Sequence, residues 1–142
     1  MRMHTCSEVI GFTRELEDTS ARFYEGLSQK FDEREEAFLS FVKENKKYSA
    51  DVQRAYYGVI SDAIEGCFAF NVEADDYALE TALAEKAGYA DAVSQAVRME
   101  ETLVRFYTDA AEQSQALMAD VPRAFMLISR KRGERIVKLR SL

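Results

Sequence analysis

A single histidine, a single proline, two cysteines and six glycines are spread over 142 residues, and each scarcity narrows what the chain can be. One proline (Pro122) and so few glycines leave little punctuation for a strand-and-turn architecture, so long helices are expected. Cys6 and Cys67 form neither a metal motif nor a disulfide framework, and free thiols in a reducing compartment are the expectation. Nothing beside Cys67 and Phe68 marks that thiol as activated. No run is long and apolar enough to span a membrane, and the opening Met-Arg-Met-His-Thr-Cys-Ser-Glu lacks the apolar core of a signal peptide. A cytoplasmic protein with no membrane partner is therefore expected. A net charge of −6 argues against general nucleic-acid binding, although Arg130, Lys131, Arg132, Arg135, Lys138 and Arg140 make the last stretch basic.

What is present is apolar residue at 47% and charge at 31%, enough for one soluble all-α domain over residues 1–142. Thr5-Cys6-Ser7-Glu8 reads as a capping box opening a first helix that runs to Lys30, with Gly26 allowing a close neighbour. His4, just ahead of it, reads as a mobile terminal residue. Asp32 to Glu36 give an acidic start to a second helix, whose apolar stripe runs from Phe38 through Phe41, Val42, Asn45, Tyr48, Val52 and Tyr56 to about Ile64, with Gly66 as its stop. Gly66 to Asp75 reads as irregular, and Asp76 to Lys86 as a short helix closed by Gly88. A third long helix is predicted from Tyr89 to Leu117. Asp120 with Pro122 starts a fourth, which Gly133 loosens late. Two tight helix pairs joined by a long linker make an antiparallel four-helix bundle with one long crossover between helices two and three.

Two segments break the apolar pattern in the same way. Glu17-Asp-Thr-Ser-Ala-Arg-Phe-Tyr24 and Glu100-Glu-Thr-Leu-Val-Arg-Phe-Tyr107 each place a Glu seven residues before a Tyr, two turns apart on one otherwise apolar face. A carboxylate on a core face is costly unless it is paired. The halves also read as a weak internal repeat, since Phe38 and Phe125 follow the two Phe-Tyr pairs at matching places.

On these residues the chain resembles the rubrerythrin-like branch of the ferritin-like superfamily over nearly its whole length, without the cysteine-paired rubredoxin-like extension. The resemblance implies a ferritin-like bundle in which Glu17 and Glu100 match the di-iron ligands of helices one and three. It also implies a Glu-x-x-His motif on each of helices two and four. Counted from Phe38, the family's Glu and His positions hold Asn45 and Tyr48; counted from Phe125, they hold Arg132 and Arg135. Neither half keeps its Glu-x-x-His, and the one histidine lies before the first helix.

The six positions therefore suggest an internal network in which two guanidinium groups balance two carboxylates. Asn45 and Tyr48 would satisfy leftover donors and acceptors, and no cofactor is expected. The bland reading makes Arg132 and Arg135 a solvated basic end and lets both carboxylates reach water. Three functions follow. The first is a structural or interaction module that has lost its metal, pairing as a homodimer through a face such as Tyr56–Tyr57, with an unknown protein partner. The second is a metal-binding oxidoreductase or iron-handling protein with iron at a reduced site, Glu44 or Glu134 serving as displaced ligands. The third is a small-anion site against the arginines. The remaining Tyr and Phe residues read as packing.

Overall fold

The structure is a computed structural model that describes residues 1–58, 69–115 and 120–142. The expected end of helix two, Gly66, Cys67, Phe68 and the expected end of helix three at Leu117 lie outside the described residues. Four long helices carry the fold: α1 (Cys6–Lys30), α2 (Glu35–Gly58), α3 (Tyr89–Gln113) and α4 (Asp120–Ser141).

Local chemistry sets most of the boundaries. Thr5 Oγ1 accepts from the Glu8 amide at 3.1 Å while Glu8 Oε1 accepts from the Thr5 amide at 3.1 Å, so the box at the start of α1 is closed from both sides. A 3-10 turn, Asp32–Arg34, leads directly into α2. Gly88 caps α3 with its amide donating to Asp91 Oδ2 at 3.2 Å. Gly133 does not interrupt α4, which continues to Ser141. Gly26 is not a close-approach site either, because a Cβ there would meet nothing within 4 Å.

The relative directions follow from which residues meet. Ser20 bonds Asn45 while Tyr24 packs on Phe38, so numbers rise along α1 as they fall along α2. The same holds for α1 against α3, where Glu17 meets Tyr107 and Tyr24 meets Glu100. It holds again for α3 against α4 (Glu100 with Arg132, Thr108 with Ser129) and for α2 against α4 (Glu44 with Arg135, Asn45 with Arg132). Every neighbouring pair is thus antiparallel, and α2 and α3, consecutive among these four, run the same way.

The linker differs from its sequence reading. Asp76 to Lys86 is not an α-helix; a 3-10 turn at Ala74–Tyr77 is followed by chain without regular secondary structure and a turn at Glu85 and Lys86. Tertiary bonds replace the helical ladder. Gln95 Nε2 donates to the carbonyls of Glu80 at 2.9 Å and Ala82 at 3.0 Å, and Lys30 Nζ donates to those of Ala84 and Glu85 at 3.2 and 3.0 Å. Helix propensity is a weak preference that such contacts override. Upstream, β1 (Arg2–Met3) pairs antiparallel with β2 (Val72–Glu73), a small ribbon that the sequence pattern did not suggest. His4 is held rather than loose: its Nδ1 lies 3.2 Å from the Phe70 carbonyl, and its own carbonyl accepts from the Phe70 amide at 3.0 Å.

Aromatic rings fill much of the core. Phe12 and Tyr77 each meet Phe106 edge-on, at 5.4 and 5.3 Å, while Tyr24 stacks on Phe38 at 6.2 Å and meets Phe41 edge-on at 5.1 Å. Among the described residues no helix is long and apolar enough to cross a membrane. Tyr56 is in the core, which leaves Tyr57, 63% exposed, as the member of that pair open to a partner.

Candidate functional site

The helix pattern brings all six positions toward one place in the bundle interior. Glu17 comes from α1, Asn45 and Tyr48 from α2, Glu100 from α3, and Arg132 and Arg135 from α4. All are buried; Arg132 and Glu100 are 0% exposed. The solvated reading of the two arginines therefore does not hold.

Arg132 is the centre of the arrangement. Its Nη1 lies 2.8 and 2.7 Å from the two carboxylate oxygens of Glu100. Its Nη2 donates to Glu17 Oε1 and, at 3.2 Å, to Asn45 Oδ1. This is a bridge, not the two parallel bonds of a fork, since one nitrogen straddles one carboxylate while the other serves the second. Arg135 adds to the same cluster from one turn further along α4, with Nη1 donating to Asn45 Oδ1 at 2.8 Å and to Glu100 Oε1 at 3.1 Å. Asn45 thus accepts from both guanidiniums, and its amide nitrogen donates to Ser20 Oγ at 2.9 Å. Tyr48 meets the cations with the face of its ring, 5.2 Å from Arg132 Cζ and 5.5 Å from Arg135 Cζ.

Two participants were read from sequence as packing only. Tyr24 OH donates to Glu100 Oε1 at 2.7 Å, and Tyr107 OH donates to Glu17 Oε2. Each tyrosine serves the carboxylate of the other segment, not of its own. The signal was present: two antiparallel helices with the same Glu-to-Tyr spacing must set each Tyr opposite the other's Glu. Ser20 was likewise on the inner stripe without a role. Glu44 and Glu134 are not in the cluster. Glu44 is 48% exposed and 3.4 Å from Arg135 Nη2, and Glu134 is exposed.

Electrostatics follow the geometry. Burial pushes Glu100 up, but Arg132, Arg135 and the hydrogen bonds from Arg132 and Tyr24 outweigh it and hold this carboxyl below its ordinary value. Glu17 is raised by burial, with Arg132 and the Tyr107 bond only partly offsetting it. Burial and the facing carboxylates push the Tyr24 and Tyr107 hydroxyls well up, so both stay protonated and donate. Tyr107→Phe should then cost about 1–3 kcal/mol, the range for stranding a buried acceptor. A urea midpoint equal to that of wild type would show that Glu17 Oε2 needs no donor.

A di-iron centre does not fit these residues. Its ligands would be Glu17 and Glu100, yet the Arg132 guanidinium bridges them and a tyrosine hydroxyl also donates to each. Among the described residues no group of three or more His, Cys, Asp or Glu is arranged to hold a metal ion. What remains is a hydrogen-bonded ion cluster in which each carboxylate is engaged on both oxygens. Comparison with family models, curated proteins and solved structures returns no match.

Proposed function

We propose that this chain is a ferritin-like, rubrerythrin-like bundle in which arginine side chains stand where a di-iron centre would lie, and that it acts as a structural or interaction module. The observation that carries this reading is Arg132, a permanent cation set between Glu17 and Glu100. It supplies from within the chain the positive charge that buried carboxylates otherwise take from a metal. The parallel course of α2 and α3 supports the ferritin-like part, because only a long crossover can join two helices that run the same way.

As a module, the chain would act through its outer faces. Pairing with a second copy belongs to this reading, with exposed Tyr57 as a candidate contact. The competing reading, an iron-dependent oxidoreductase or iron carrier, has two carboxylates in its favour and two guanidiniums against a bound cation. Elemental analysis separates the two. Protein purified without chelator, and again after anaerobic incubation with ferrous iron and desalting, should carry no stoichiometric metal. About two irons per chain retained through desalting would overturn the proposal.

A further inference from the structure

We propose a second site, independent of the iron question: the cleft between α2 and α4 whose floor is Arg135 binds a small carboxylate. The cleft has a volume of about 220 Å³ and is lined by Phe41, Glu44, Lys131, Glu134, Arg135 and Lys138.

Arg132 and Arg135 each leave a buried Nε without a partner, but they differ in how their terminal nitrogens are used. Arg135 is 3% exposed, yet only Nη1 is well bonded, to Asn45 at 2.8 Å and Glu100 at 3.1 Å. Its Nη2 reaches the Phe41 carbonyl at 3.5 Å and Glu44 Oε1 at 3.4 Å, both long for an N–H···O bond, and its Nε has no partner. A buried guanidinium with donors to spare has not recovered the hydration it lost.

The surroundings are rich in positive charge. Arg135 Cζ lies 4.7 Å and Lys138 Nζ 5.5 Å from the centroid of the same Phe41 ring, and Lys131 lines the cleft beside them. Neither lysine forms an ion pair among the described residues. Glu100 is shared with Arg132, so the carboxylates facing this seam are Glu44 and Glu134, both solvent-exposed to a large degree. Glu44 already presents the fitting chemistry, a carboxylate approaching Arg135 Nη2 from the solvent side, but at a loose distance. A carboxylate free of the α2 backbone closes that distance, accepts from Arg135, draws in Lys138, and releases Glu44 to water.

The test reads arginine Nε–H resonances by NMR while wild type is titrated with sodium acetate, against sodium chloride at matched ionic strength. The Arg135 Nε–H signal should shift saturably with acetate and not with chloride. Lys138→Gln should weaken acetate binding about tenfold, the loss of one charge-assisted contact, and Glu44→Gln, which removes the competing carboxylate, should strengthen it by a similar factor. Both substituted side chains lie at the surface, outside the buried cluster, so neither change threatens the fold. A blocked Gly-Glu-Gly peptide distinguishes the source of the carboxylate. Saturable peptide binding assigns it to the side chain of a partner chain, whereas exclusion of the peptide while acetate binds assigns it to a free small acid. The proposal is overturned if acetate and chloride act alike, or if both variants titrate as wild type does.

Discussion

Arg132→Met should lower the stability of the fold by about 3–5 kcal/mol, the range seen when one partner of a buried ion pair is removed. Methionine keeps a stem of similar length, so the loss reads charge and hydrogen bonding more than volume. Glu17 keeps only the Tyr107 hydroxyl, and Glu100 keeps Arg135 and Tyr24. With a urea slope of about 1–3 kcal/mol/M, the midpoint should fall by about 1 M or more. A midpoint equal to that of wild type would mean that no buried network exists. Acid should narrow the gap. In wild type the depressed Glu100 stabilises above its ordinary value of 4.5, and that contribution is lost as pH falls below it. Raised Glu17 acts with the opposite sign, favouring the fold as pH falls toward that value. In the variant, burial without Arg132 raises both carboxyls, so its stability recovers as they take up protons.

Replacing the whole ion set should undo most of that damage. Glu17→Leu, Glu100→Leu, Arg132→Met and Arg135→Met together remove every buried charge of the cluster, and with them the desolvation that the ion pairs must offset. The quadruple variant should unfold well above Arg132→Met. The Tyr24 and Tyr107 hydroxyls and Asn45 Oδ1 would still be left without partners, at about 1–3 kcal/mol each, while the Asn45 amide nitrogen keeps Ser20. Adding Tyr24→Phe and Tyr107→Phe should therefore bring the midpoint back to wild type or above it. Urea unfolding of the single, quadruple and sextuple variants checks the order. A quadruple variant less stable than the single would show that the ions support the fold by more than charge balance.

These contrasts depend on residues that were partly visible before any coordinates. Thr5 with Glu8 announced the start of α1, because capping chemistry is local. The inward positions of Glu17 and Glu100 followed from helical period, and those of Asn45, Tyr48, Arg132 and Arg135 from counting along that period. Period says which face a side chain shares, not which atom it reaches. The bridging mode of Arg132 and the crosswise tyrosines needed the approach of four helices at once. The linker was misread for the same reason. Asp76 to Lys86 has helical composition, but Gln95 and Lys30, distant in sequence, claim its carbonyls. The β1–β2 ribbon, two residues per strand, is too short for any alternation to register.

The distribution of the cluster over the four helices bears on the order of folding. The α1–α2 and α3–α4 hairpins can each form from neighbours close along the chain, which is entropically cheap. Glu100 can find Arg132 and Arg135 within the second hairpin, and Ser20 can find Asn45 within the first. Glu17 with Arg132 and Tyr107, Tyr24 with Glu100, and Asn45 with both arginines all join one hairpin to the other. Water must leave those groups in the same event that brings their partners. Chain entropy alone therefore favours hairpins first and docking second, with the ions losing water in the docking step.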